Sequence, residues 1–332
     1  MLNRLHFPGM RLPQELSAQL SDVVARVPTA ELMRAAEKLS LGYRSDGQPP
    51  AFRGEAERLA YLAVRLPATY AAARSALASA SASLPGFAPK TMVDLGAGPG
   101  TALWAACEVF PSLERLEAVE RDAELVSLGR KLAQGASSVA LRTTNWLGAN
   151  LEPWNAERRY DLVVASYALG ELPASVRRRV LLAALEACFG ALLVVEAGTR
   201  RGFEAIAEMR DLLTGAGAAI AAPCPHEKEC PMRAAGDWCH FAARVERSSE
   251  HRRLKQAELG HEDEKFSYVV AAKVEAQPAA ARIVRHPMRY SGHARLKLCT
   301  IDGLKEETIT RSQKERYREA KRSEWGSRWS PR

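Results

Sequence analysis

Thr91-Met92-Val93-Asp94-Leu95-Gly96-Ala97-Gly98-Pro99-Gly100-Thr101 is the stretch that decides the fold. Its first half is apolar and β-prone. Its second half sets glycine at alternate positions and then gives way to the helical pattern TALWAACEVF. A strand that ends on glycines and opens a helix is the first turn of a doubly wound α/β domain. Glycine there lets the backbone turn sharply and approach a ligand with no Cβ in the way. Glu120 ends the next strand-like run, RLEAVERD, about twenty residues on, where such a fold places a carboxylate for ribose hydroxyls.

Outward from the loop, strands and helices alternate. ELVSLGRKLAQG reads as a helix, SVALRTTNW as a third strand and YDLVVASYAL as a fourth. VRRRVLLAALEAC is helical, GALLVVEAG a fifth strand, GFEAIAEMRDLL a helix, AAIAAP a short strand and KFSYVVAAKV (265–274) a late one. Near-continuous apolar strands between helices predict a parallel sheet covered on both faces. Upstream, 12–82 shows apolar residues three and four apart in four stretches, punctuated by Pro28, Pro67 and a loop at 45–54. The expected organisation is a helical region at 1–88, an α/β domain at 89–276 with a cysteine-bearing insertion at 223–264, and an extension at 277–332. The extension carries a strand pair around Asp302-Gly303 and the helix SQKERYREAKRSEW.

The chain of 332 residues is 47% hydrophobic and 26% charged. That supplies a sizeable core and excludes wholesale disorder or a collagen-like chain. No apolar run reaches the roughly 18 residues of a membrane span, and the N-terminus lacks the apolar stretch of a secretory signal. The expectation is a soluble, cytoplasmic protein without a membrane partner. Of the net charge of +8, residues 283–332 hold +7, from 13 basic and 6 acidic side chains. A charge excess gathered at one end suits a polyanion, foremost nucleic acid. Arg311, Lys314, Arg316, Arg318, Lys321 and Arg322 are the candidate RNA phosphate contacts. The plainer alternative is a solvated helix face.

The spacing G-x-G-x-G is neither the dinucleotide fingerprint nor a phosphate loop. D-L-G-x-G-x-G resembles motif I of class I S-adenosylmethionine-dependent methyltransferases. The resemblance implies that Asp94, Gly96, Ala97, Gly98 and Gly100 border the methionine and ribose portions of S-adenosyl-L-methionine and that Glu120 holds the ribose diol. It makes Asn145 and Trp146 candidates for the adenine edge and face, and Ser166 and Tyr167 candidates for the side to which the methyl group points. Methyl transfer asks mainly for alignment and exclusion of water. No catalytic residue is identified: Glu171 and Glu196 are available as bases or as structural carboxyls. The expectation is an S-adenosylmethionine-dependent methyltransferase, with a non-catalytic protein on the same fold as the alternative.

Of the six cysteines, Cys107 and Cys188 fall in apolar stretches and read as core. Cys224, Cys230 and Cys239 share one Pro-rich loop, with five and eight residues between them, and Cys299 follows sixty positions later. In a reducing compartment such thiols read as metal ligands rather than disulfides. Four thiolates suit an iron–sulfur cluster or zinc. His226 and His240 keep a mixed zinc site open.

With these pieces placed, the chain resembles a bacterial member of the methyltransferase-like family associated with the mitochondrial small ribosomal subunit. The resemblance rests on Tyr61–Tyr70, Asp94–Thr101, Glu196–Thr199 with Gly202-Phe203, Cys224-Pro225-His226, Cys230-Pro231 and Trp238–Phe241. It continues through Ser291–His293, Leu298–Thr300 and Trp325-Gly326. It implies a class I methyltransferase fold, a [4Fe–4S] cluster on Cys224, Cys230, Cys239 and Cys299, and binding to small-subunit rRNA during assembly or translation. An iron-sensing RNA-binding module is a further alternative. Where the family has an acid after the tail Trp-Gly, this chain has Ser327.

Overall fold

The computed structural model describes residues 9–45, 52, 54–254 and 258–331; most of the expected loop at 45–54 lies outside them. The strands and helices are those of a class I methyltransferase α/β fold, divided between two compact units that cut across the three expected segments.

The first unit comprises 1–75, 90–153 and 243–264. Strand β1 (Thr91–Leu95) pairs in parallel with β2 (Arg115–Glu120), and β2 in parallel with β3 (Asn145–Gly148). The strands β1 and β2 are almost wholly buried. Helix Thr101–Val109 leaves the glycine turn, and helix Ala123–Gln134 begins at Asp122, whose side chain accepts from Glu124 N and Leu125 N. That cap satisfies amides that the helix itself cannot.

Three readings change here. The two stretches expected on either side of Pro67 are one helix, Glu55–Ser83. Thr69 Oγ1 donates to Arg65 O at 3.0 Å and Leu66 O at 3.2 Å, which occupies carbonyls beside the proline. The expected strand SVALRTTNW is instead a short helix, Val139–Arg142, capped by Ser138, followed by β3. Part of the expected insertion is β7 (Phe241–Glu246), whose alternate residues are buried and whose Val245 bridges Met10.

The second unit comprises 76–89, 154–242 and 265–332. Strand β4 (Tyr160–Ser166) runs parallel to β5 (Cys188–Ala197); β8 (His261–Ala272) is antiparallel to β5 and to β6 (Ala219–Ala222). Helices Ala174–Ala187 and Arg200–Gly215 follow β4 and β5. A second sheet has the order β10-β11-β9-β13, with β12 also on β11. Its strands are β9 (Ala281–Ile283), β10 (Met288–Arg289), β11 (His293–Thr300), β12 (Gly303–Thr310) and β13 (Arg328–Trp329). Helix Lys314–Arg322 covers it, with Ala320 and Trp329 in a core with Leu296, Leu298 and Ile309.

Candidate functional sites

In the first unit the glycine loop is built on left-handed backbone. Gly96, Gly98 and Gly100 have φ of 72°, 53° and 82°, a region that side-chain-bearing residues rarely enter. Ala97 between them is buried, and its amide donates to Val119 O at 3.0 Å. Gly98 N donates to Glu120 Oε2 at 2.9 Å and Asp122 N to Glu120 Oε1 at 2.8 Å. Each carboxylate oxygen keeps a second lone pair for a hydroxyl donor. Asp94 is 1% exposed, and among the described residues neither of its carboxylate oxygens has a partner. Burial, and then the charge of Glu120, push its carboxyl up to about 8. A buried acid without partners is costly, so this one calls for a donor or a cation.

Asn145 and Trp146 are the adenine-side candidates, and the Trp146 ring borders the loop, where a Cβ on Gly100 would come within 3.0 Å of it. Both lie at the start of β3, where Asn145 is level with Glu117; Gly148 is level with Glu120. Asn145 Nδ2 donates to Glu117 Oε2 at 3.0 Å. The Trp146 ring is buried so closely against Gly129 that a Cβ there would come within 2.2 Å of it. The segment at the height of Glu120 is Gly148-Ala149, and Ala149 N donates to Glu120 O at 3.1 Å.

In the second unit Ser166 closes β4, and Tyr167 follows with φ of 57°. A bulky residue there stores roughly 1–2 kcal/mol of strain. Tyr167 N donates to Val195 O at 2.8 Å. Glu196, 6% exposed, accepts from Gly170 N at 2.7 Å. Burial pushes its carboxyl up to about 7, with the Gly170 amide opposing.

Cys224, Cys230, Cys239 and Cys299 line one cavity of this unit. Cys224 follows β6, Cys230 precedes the short helix Pro231–Ala234, and Cys239 precedes β7. Ser267 Oγ on β8 donates to Cys239 O at 2.8 Å. Cys299 lies in β11, opposite Arg282 of β9. Burial pushes the Cys239 thiol well up, with the other three cysteines adding to the shift. Burial, Cys224 and Cys230 push Cys299 up to about 12. Among the described residues no three His, Cys, Asp or Glu side chains are placed to hold a metal ion. His226 lines the cavity, whereas the His240 ring packs between Trp238, at 5.4 Å, and Trp325, at 4.5 Å.

Two arginines that the sequence reading passed over complete the cavity. Arg210 is 4% and Arg282 is 3% exposed. Arg210 donates to His226 O at 2.9 Å and Lys228 O at 2.7 Å; Arg282 donates to Pro223 O at 2.9 Å and Gly326 O at 3.0 Å. Arg210 also bonds the Cys224 thiol, and among the described residues Arg282 Nη2 meets no acceptor. The cavity therefore presents four thiols and two buried cations. The available signal was Arg210 in step with Phe203, Ile206 and Leu213 on the buried face of its helix.

Of the six candidate RNA contacts, Arg311, Lys314, Arg318 and Arg322 are exposed and Lys321 is half-buried, its Nζ 5.9 Å from the Tyr317 ring centre. Arg316 is engaged inside the tail. Its guanidinium pairs with Glu307, donates to Ser330 O at 2.8 Å and lies 4.9 Å from the Trp329 ring centre, so it fastens β13 to the tail.

The model of a family described as mitochondrial small ribosomal subunit Rsm22 matches residues 55–330. The human protein "Ribosome assembly protein METTL17, mitochondrial" is 30% identical over 285 residues, which cover 81% of this chain and 61% of that protein. "Rsm22-cox11 tandem protein 2, mitochondrial" of Schizosaccharomyces pombe is 26% identical over 324 residues, covering 81% of this chain and 42% of its own length. The chain thus spans less than two thirds of either relative. Among solved structures, the magnesium protoporphyrin IX methyltransferase of Synechocystis is similar at 12% identity and a TM-score of 0.40, over 72% of this chain and 96% of that one. The plantazolicin methyltransferase is similar at 12% identity and a TM-score of 0.42, over 77% and 98%.

Proposed function

The chain belongs to the family described as mitochondrial small ribosomal subunit Rsm22, and from that premise we propose that it is a small-subunit assembly protein. In this reading it is a bacterial member acting in the cytoplasm. It binds S-adenosylmethionine at the glycine loop, a [4Fe–4S] cluster on Cys224, Cys230, Cys239 and Cys299, and rRNA through its basic tail.

The observation that carries the reading is Asp94. Its two buried, partnerless oxygens lie beside three left-handed glycines and a strand-end acid. An α-ammonium group supplies the donor that Asp94 lacks. Glu120 takes the ribose hydroxyls, and Asn145 and Trp146, whose ring borders Gly100, are the proposed adenine-side residues. S-adenosylmethionine, when bound, supplies an electrophilic methyl group. The residues here orient the cofactor and exclude water.

The donor set of the cysteine cavity fits an anionic metal centre. Four cysteinates leave such a centre negative, and Arg210, which bonds the Cys224 thiol, and Arg282 bring two buried charges to it. A multi-iron centre spreads its thiolates wider than a single ion does, which is compatible with the lack of a single-ion site among the described residues. The cluster is proposed as a structural staple, because metal binding of this kind is coupled to folding.

One observation favours a non-catalytic assembly factor as the second reading. Glu196, a buried carboxyl at the end of β5, is engaged by the Gly170 amide rather than open to an acceptor. Calorimetric titration with S-adenosylmethionine tests the cofactor site. Transfer of labelled methyl groups to immature small subunits then separates the readings. Transfer that disappears in Gly98→Arg supports the enzyme; saturable binding without transfer supports the assembly factor; no binding overturns the cofactor reading.

A further inference from the structure

The tip of the tail sheet carries an exposed aromatic stack. Tyr290 and His293 close the turn between β10 and β11, and their rings lie 4.4 Å apart at an interplanar angle of 16°. Tyr290 is 44% exposed, and Met288 beside it is 43% exposed. The turn is held in place. Tyr317 Oη donates to Tyr290 O at 3.3 Å and Ser291 O at 3.2 Å, and Arg311 N donates to Gly292 O at 2.9 Å. Arg289 binds Lys321 O at 3.0 Å and reaches Ser323 O as well, fixing the strand before the turn to the end of the basic helix.

The surroundings are cationic. Arg311, Lys314, Arg318 and Arg322 are exposed on the segment that pins the turn, and Arg295 is exposed on β11. An outward aromatic held rigid within a basic surface matches what unpaired nucleic acid needs. The cations track phosphates, and the ring extends a base stack. A duplex already stacks its bases on one another and has less use for such a ring.

We propose that the Tyr290–His293 stack is a landing site for an unpaired base of single-stranded RNA, with Arg311, Lys314, Arg318 and Arg322 along the adjoining phosphates. This rests on the rRNA-binding reading and adds the form of RNA and the residue that meets the base.

The test is fluorescence-anisotropy titration of the full chain with a labelled twelve-nucleotide single-stranded RNA and with the same sequence as a duplex, at several salt concentrations. Tyr290→Ala is expected to weaken single-strand binding about ten-fold and leave the log–log salt slope unchanged, because stacking releases no counterions. Tyr290→Phe is expected to bind like the parent. Arg318→Gln is expected to lower the slope by about 0.7. Single-strand binding unaffected by Tyr290→Ala overturns the stack while leaving RNA binding intact. Equal or tighter duplex binding overturns it too. No binding to either RNA overturns the RNA reading itself. Unchanged circular dichroism of the variants guards against misfolding.

Discussion

Cys299 Sγ lies 3.8 Å from His226 Nε2, although 73 residues separate the two in the chain. The contact joins β11 of the tail sheet to the cysteine loop inside one unit. Arg282, opposite Cys299 in the sheet, reaches back to Pro223 O at the head of that loop and forward to Gly326 O in the tail. Loop, tail and cavity therefore share fastenings.

Cys239→Ala and Cys299→Ala should each lose bound iron. Both should also speed hydrogen exchange across 223–240 relative to the parent, because the ligands hold a loop that has little core of its own. Exchange measured by mass spectrometry on anaerobically purified protein checks this. Iron at the parental level in either variant contradicts the ligand assignment.

Asp94→Asn separates stability from cofactor binding. In the unfolded chain Asp94 ionises near its ordinary value, whereas in the fold it holds its proton up to about 8. Between those values the folded state binds more protons, so this residue's contribution to stability falls as pH rises. The variant should raise the melting temperature of the cofactor-free protein at pH 8, by about 1–3 kcal/mol of stability, and change it little at pH 4. It should also weaken S-adenosylmethionine at least ten-fold by calorimetry, through loss of the carboxylate–ammonium contact.

Glu196→Gln retains an oxygen for the Gly170 amide. The parent should lose stability from pH 5 to pH 8, as a carboxyl held up to about 7 becomes charged inside the fold, and the variant should lose less. Thermal melts of both proteins across that range decide it. Parallel pH curves count against a buried protonated Glu196.

Arg316 should behave unlike its neighbours on the same helix. Arg316→Gln should cost about 1–2 kcal/mol of stability in urea, since the side chain pairs with Glu307 and lies over Trp329, and should leave the salt dependence of RNA binding alone. Lys314→Gln should do the reverse, because Lys314 is exposed.

The loop from β1 to β2 was legible because its chemistry is local. Three glycines at alternate positions have no other reason to recur after an apolar strand, and Glu120 ends β2 where the pattern requires. The sheet edge was less legible. Val139 and Leu141 look like strand residues, but the Ser138 hydroxyl accepts from Leu141 N and starts a helix, so β3 begins late and Trp146 turns into the core. In β7 the alternate burial of Phe241, Ala243 and Val245 is a period-two signal hidden by the cysteines before it. Arg210 keeps step with the buried face of its helix, whereas Arg282 resembles a surface arginine in sequence and only the backbone carbonyls that bind it show that it is interior. The four cysteines were legible as a set, but that they share one cavity depends on how β11 pairs with β9.

The most direct measurement is metal and sulfide analysis of the full chain purified without oxygen, together with its visible spectrum. The account predicts about four irons and four sulfides per chain and a broad visible absorption that bleaches on loss of iron, as expected of a four-cysteine cluster. One zinc per chain, or no metal at all, contradicts it.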